Sequence, residues 1–330
     1  MAKVITENFA FTQYADGIEF NGKAVATAFD VPPIFQGTVS GYATGGSYPS
    51  GTTAIRKFSF ASNGNSVSVG NLTNALSGGA GQSSSTSGYT TGSGTGSINM
   101  INKFPFSVDA NATDVGDLTQ LRVNPAGQSS PVSGYGYSSG GTGGSPYSNV
   151  IDKFPFSADA NATDVGDLTQ LREYPAGQSS VTSGYSSGGY SPPFRNTIDK
   201  FPFASDANAT DVGDLTVSRS RAAGQSSDVS GYSSGGREIP TLLNVIDKFP
   251  FASNANATDV GDLTQSRNAA SGQSSTVSGY SSGGDGTPSP AFSNVIDKFP
   301  FASNANATDV GDLAQGNVGG VTGQTAGQQV

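Results

Sequence analysis

The chain has no cysteine, no histidine and no tryptophan among its 330 residues. Without cysteine there are no disulfides and no thiolate nucleophile. Without histidine there is no imidazole base and no zinc site of the usual His or Cys kind. Charge is also scarce. Only 12% of residues are charged, 16 Lys and Arg stand against 25 Asp and Glu, and the formal net charge is −9. Nucleic-acid binding needs a cationic stripe that displaces counterions from phosphates, and the few basic residues are dispersed. An acidic surface argues against adsorption to anionic lipid. No apolar run approaches the ~20 residues of a membrane helix. The opening MAKVITENFAF lacks the charged-then-apolar layout of a secretory signal, so export by a signal of its own is not expected.

Glycine and serine are what the chain has instead. Its 46 glycines and 17 prolines make up about 19% of it, below the roughly 25–30% of low-complexity chains. The sequence is therefore expected to fold.

The dominant signal is repetition. IDKFPF begins at Ile151, Ile198, Ile246 and Ile296, with INKFPF at Ile101 and a degenerate IRKFSF at Ile55. A D-V-G-D-L segment follows at Asp114, Asp164, Asp211, Asp259 and Asp309, with 68–72 as the divergent first copy. A Gly-Tyr segment precedes each at Tyr42, Tyr89, Tyr137, Tyr185, Tyr232 and Tyr280. Successive lysines of the aromatic segment lie 46, 50, 47, 48 and 50 residues apart, so six units follow one another without a gap.

Each unit reads as short strands separated by turn residues, with no apolar period of helical length. In the last unit the strands are 277–282, 295–301 and one opening at Val310. The segment 267–275 reads as the fourth strand of the unit before it. Alternation along 295–301 places Ile296, Lys298 and Pro300 on one face and Asp297, Phe299 and Phe301 on the other. A proline cannot donate to a ladder, so Pro300 is expected at an edge or a bulge. A four-stranded unit of this length cannot bury both faces alone, whereas radial packing covers each against a neighbour. The fold class expected is all-β, a six-bladed β-propeller over 37–330 behind a short N-terminal extension, 1–36. The tail 314–324 occupies the place of a fourth strand with no Gly-Tyr strand after it, and the first unit opens with that missing strand at 38–46. One blade is therefore expected to be closed by strands from both ends of the chain.

Several residues invite chemical readings. D-A-N-A-T-D-V-G-D puts oxygen side chains at calcium-loop spacing: Asp109, Asn111, Thr113 and Asp117, then Asp159, Asn161, Thr163 and Asp167, then Asp206, Asn208, Thr210 and Asp214. Against calcium, Asp114 stands where such loops need glycine, and position one becomes Asn254 and Asn304 in later units. The competing reading is a turn whose polar side chains bond their own backbone. No other cofactor is expected. The I-D-K triplet reads as a charge pair on a strand face. The six tyrosines form a ring that either packs between blades or stacks on sugars, and packing is preferred. The Phe pairs are core. Outside the repeat, 5–11 and 17–22 read as two short strands with an Asn-Gly turn, and Ile5, Phe9, Phe11, Ile18 and Phe20 form the apolar side of a docking arm or cap. Copies identical over whole segments, such as the 16 residues from Lys248 and from Lys298, suit a scaffold more than an asymmetric active site, so no enzyme is expected. The variable parts are the loops after the glycine pairs, such as 188–196, 235–244 and 283–294, where any selective recognition is expected.

The Gly-Tyr-x-x-Gly-Gly strand, the spaced arginines Arg122, Arg172, Arg219 and Arg267, and the aromatic strand resemble kelch-type propeller repeats, although the kelch Trp is missing. The repeats from about 37 to 330 resemble more closely the Gly-Tyr-rich, I-D-containing tandem repeats in virion proteins of marine cyanobacterial phages, and the opening residues are similar to those of tail-associated proteins. The resemblance implies a virion structural protein, attached to tail or capsid, that docks to other virion proteins through 1–36 and meets a host glycan or receptor through its variable loops. Nucleic acid and membrane insertion are not implied. A soluble, multivalent lectin-like propeller is the alternative.

Overall fold

The computed structural model describes residues 11–14, 17–20, 23–26, 36–46, 51–93, 98–130, 132–143, 147–286, 291–314 and 326–329, and every regular element among them is a strand. Contacts divide the chain into two units, 1–34 and 35–330. The first holds a three-stranded antiparallel sheet, Phe11–Tyr14, Gly17–Phe20 and Lys23–Ala26. Phe11 is registered with Phe20, and Phe20 with Lys23 across residues 21–22. Ile5, Phe9 and the Asn21-Gly22 turn lie outside the described residues.

The second unit is a β-propeller of six four-stranded antiparallel blades. Blade 4 shows the plan. Ala176–Ser179 is innermost, Ser183–Ser187 second, Thr197–Pro202 third and Thr210–Asp214 outermost. The A-G-Q-S strand therefore opens each blade, and 271–274 belongs with the Tyr280 strand of blade 6 rather than with the blade before it. Pro202, Pro250 and Pro300 likewise sit at the last residue of an internal strand, not at an edge or bulge. There the ladder is ending and little donor capacity is lost. The irregular position lies at the strand's start, where Val295 and Asp297 straddle a register shift against the outer strand.

Blade 1 is made of Ser40–Thr44, Thr52–Ser59 and Val67–Leu76, and its innermost strand is Ala326–Gln329 from the far end of the chain. Closure by both ends is thus observed, with the closing strand at 326–329 instead of 314–324. It falls there because A-G-Q-Q is the sixth copy of A-G-Q-S.

Glycine sets how tightly the blades meet at the axis. A Cβ on Gly177 would lie 2.2 Å from the Gly127 carbonyl oxygen of the neighbouring innermost strand, and one on Gly224 would lie 2.1 Å from that of Gly177. Any side chain there would push backbone against backbone. The paired glycines after the second strand do another job: Gly235 and Gly236 have φ of 65° and 102°, which only glycine adopts without cost, and they turn the chain into the loop.

Both faces of each third strand are buried against a neighbour. In blade 3, Ile151 joins the cluster of Tyr137, Leu168 and Phe201 toward blade 4, while Phe154 packs with Tyr89 toward blade 2. Each tyrosine of the ring rests on the Phe pair of the next blade: Tyr89 lies 4.9 Å from Phe156, Tyr137 4.9 Å from Phe203, Tyr185 4.8 Å from Phe251 and Tyr232 4.9 Å from Phe301. Tyr280 on Phe60 at 4.8 Å and Tyr42 on Phe106 at 5.1 Å complete the circle through blade 1. A glutamine beside it ties the same blades: Gln128 donates to the Tyr185 carbonyl, Gln178 to that of Tyr232 and Gln273 to that of Tyr42.

Burial raises the pKa of all six ring tyrosines, Tyr137 to about 12. Free tyrosine ionises near pH 10. Above that pH the unfolded chain gives up protons that the folded ring keeps, so stability that is complete below about pH 10 is lost as pH rises toward about 12. Circular dichroism and phenolate absorbance followed together in a base titration are expected to change in one cooperative step. Stepwise ionisation ahead of any loss of structure would contradict the packing role.

Candidate functional site

The conserved-looking parts of the repeat turn out to serve blade packing. Asp152, Asp199, Asp247 and Asp297 of the I-D-K triplets are fully buried, and each faces a fully buried arginine in the linker that enters its own blade. Arg122 reaches Asp152 at 3.0 Å, Arg172 reaches Asp199 at 2.5 Å, Arg267 reaches Asp297 at 2.7 Å, and Arg219 bonds Asp247. The aspartate also accepts from a threonine of the preceding blade: Thr169 donates its backbone N–H and hydroxyl to Asp199 at 2.9 and 2.6 Å. The expected surface pair with the adjacent lysine is therefore wrong. Neighbouring strand residues point to opposite faces, so Asp and Lys of one triplet cannot meet. Burial lowers the pKa of the four arginines, and the facing carboxylates act against that shift.

The lysines point the other way, to the turn of the next blade. Lys57 pairs with Asp109 at 3.1 Å, Lys103 with Asp159 at 2.8 Å and Lys153 with Asp206 at 2.5 Å. These are the first residues of the three candidate calcium loops. The asparagines at position three are engaged as well: Asn111, Asn161 and Asn208 accept the backbone N–H of Asn71, Asp117 and Asp167 across the blade boundary. Thr113, Thr163 and Thr210 begin the outer strands that Asp117, Asp167 and Asp214 end. Among the described residues no three acidic groups gather closely enough to hold a metal. These loops dock one blade on the next. Sequence reasoning missed the Arg–Asp pairing, although one signal was present: arginine is absent from the linker into blade 2, where Leu76 takes its place, and there the aspartate is Asn102.

What the ring does not use is gathered at one end of its axis. The axial pocket is lined by the small and polar residues of the innermost strands, and none of the described lining residues is charged. At the mouth on the variable-loop side, the linkers into blades 2 to 6 form an arc of backbone hydrogen bonds: Asn124 to Gly78, Tyr174 to Asn124, Arg221 to Tyr174 and Ala269 to Arg221. The four non-glycine residues have φ between 56° and 60°, a left-handed conformation that costs roughly 1–2 kcal/mol each and gathers at functional sites.

Outside that arc the linkers into blades 3 to 6 pair with the start of the loop in the same blade, giving Val123 with Thr142, Glu173 with Tyr190, Ser220 with Arg237 and Asn268 with Asp285. The chemistry is one-sided. The blade 3 side carries Asn124, Val123 and Thr142. The linkers and loops of blades 4 to 6 carry Glu173, Tyr174, Arg221, Arg237 and Asp285. The Arg221 guanidinium lies 3.9 Å from the Tyr174 ring and donates to its hydroxyl at 2.5 Å. Burial raises the pKa of Glu173 and Asp285, with Arg221 and Arg237 opposing, and burial lowers that of Arg237. Beside the mouth, Tyr190 meets Phe194 at 4.8 Å and Tyr147 at 6.0 Å, all three half-buried. The variable loops supply Tyr190, Phe194, Arg237 and Asp285. The linker residues Glu173, Tyr174 and Arg221 went unnoticed, because a single position that varies between copies looks like drift until the ring brings the copies together.

No protein-family model matches the chain, and no curated protein is significantly similar to it in sequence.

Proposed function

We propose that the chain is a non-enzymatic structural component of a bacteriophage virion, a tail- or capsid-attached propeller that works without a cofactor. Residues 1–36 attach it to other virion proteins, and its variable loop face meets the host surface. One observation carries this reading: the near-identical parts of every blade are engaged in packing, while the longest variable loops and the linker residues that differ beside them collect at one mouth, on a body that has a separate small sheet at its N-terminus. The resemblance of the repeats to kelch-type and cyanobacterial-phage virion repeats supports it. Neither nucleic acid nor membrane insertion has a place in it. The test is electron microscopy of assembled particles, with the intact chain and with a deletion of residues 1–34. The propeller is expected on intact particles and absent from the deletion particles. A chain that never joins a particle ends this reading.

A second reading, a soluble lectin-like propeller, is favoured by the aromatic trio Tyr147, Tyr190 and Phe194 on the loop face. The buried tyrosine ring supplies no sugar platform, since its members are 2% exposed.

A further inference from the structure

We infer that the charged side of the channel mouth is a single binding site for a neutral saccharide, held by Arg221, Arg237, Asp285 and Asn268 with Tyr174 beneath it. The inference rests on the reading of the loop face as a recognition surface and gives that surface one locus and one ligand class.

Unsatisfied capacity is the first ground. The Oδ1 acceptors of Asp285 and Asn268 are buried and have no hydrogen-bond partner, and neither have the Nε donors of Arg221 and Arg237, a trait the two arginines share with the packing arginines Arg122, Arg172 and Arg267, so the weight falls on the two acceptors. Buried polar atoms left this way call for an occupant. Here donors and acceptors stand together, and two neighbouring hydroxyls of a sugar ring can each accept from a guanidinium and donate to a carboxylate or amide oxygen.

Charge is the second. Two guanidiniums face two carboxylates, Glu173 and Asp285, and the four influence one another electrostatically without forming an ion pair within 4 Å. The site is balanced, so it favours a ligand without net charge over an acid or an amine. The third ground is backbone precision. Tyr174 and Arg221 are held in the left-handed conformation by the arc of linker hydrogen bonds, which sets where their side chains leave the backbone before a ligand arrives.

The repeats supply control substitutions. Thr142 occupies in blade 3 the position of Arg237 and Asp285, and Asn124 that of Tyr174, so R237T, D285T and Y174N install side chains the fold already accepts there. The experiment is a saturation-transfer NMR titration of the full chain with glucose, galactose, mannose and fucose, and with glucuronic acid and glucosamine as charged counterparts.

At least one neutral sugar is expected to bind in the millimolar range, more tightly than its charged counterparts. R237T and D285T are expected to weaken it about tenfold or more with unchanged melting temperature. Equal binding by wild type and variants would remove the site while leaving the loop-face reading intact. Preference for a charged sugar would overturn the charge argument. No binding by any sugar would end both this inference and the lectin reading, and particle attachment would still be decided separately by the 1–34 deletion.

Discussion

Replacing Asp199 with alanine is expected to destabilise the propeller by about 3–5 kcal/mol, the cost of leaving a buried charge without its partner. Arg172 is fully buried, and its other bonds run to the Gly188 and Thr197 carbonyls, so no other carboxylate bonds it, although Asp211 also acts on its charge. Thr169 would also lose the acceptor for two hydrogen bonds. The protein contains its own control for this experiment. Where blade 1 meets blade 2, Leu76 stands in the arginine position and Asn102 in the aspartate position. Asn102 still accepts from Thr73 at 3.1 and 2.6 Å, so the threonine anchor survives without either charge. The double variant R172L/D199N recreates that interface and is expected to stay within about 1–2 kcal/mol of the wild type, since a buried ion pair contributes little beyond a well-packed neutral equivalent. Urea unfolding of wild type, R172L, D199N and the double variant forms the cycle. Single variants as mild as the double would show that Arg172 and Asp199 carry no coupling.

Deleting residues 326–330 is expected to lower the melting temperature by about 10 °C or more. Blade 1 would keep three strands and expose the inner edge of Ser40–Thr44, now registered with the closing strand at four positions from Ala326–Thr44 to Gln329–Gly41. At about 1 kcal/mol for each backbone hydrogen bond lost, several kcal/mol disappear before packing is counted, and for a domain of this size each kcal/mol is worth roughly 2–4 °C. A synthetic peptide covering 322–330, added to the truncated protein, is expected to restore part of the loss in proportion to its concentration. A truncated chain that melts like the intact one would mean that the ring is held without its clasp.

Much of this architecture could be read from residues alone, for one reason: six copies average away the noise of any single one. The tyrosine strand, the aromatic strand and the D-V-G-D strand stand where their patterns place them, and so does the principle of closure. The strand phase did not follow. A tandem repeat has no intrinsic beginning, and A-G-Q-S suits the end of one unit as well as the start of the next until pairing assigns it to Ser278–Ser282 and its equivalents. The pairing of Arg172 with Asp199 was hidden because 27 residues separate the partners and the lysine beside the aspartate offered a nearer explanation. The mouth was half visible. Loop residues such as Arg237 announce themselves by variation in length, whereas Tyr174 and Arg221 sit in linkers of constant length.

The neutral interface of Leu76 and Asn102 has a counterpart on the other side of blade 1. There Arg56 fills the position that aspartate holds elsewhere, buried and bonded to the carbonyls of Ala314 and Gly45. Blade 1 is thus unlike the rest at both of its seams. Sheets with word-for-word identical segments would otherwise fit together in any rotation, or across two chains at high concentration. A linker carrying Arg172 or Arg267 set against Arg56 would bury two guanidiniums face to face, and Leu76 set against any of the four aspartates would strand a carboxylate. The odd blade works as a keyway, cut so that a circle of interchangeable parts has one order of assembly.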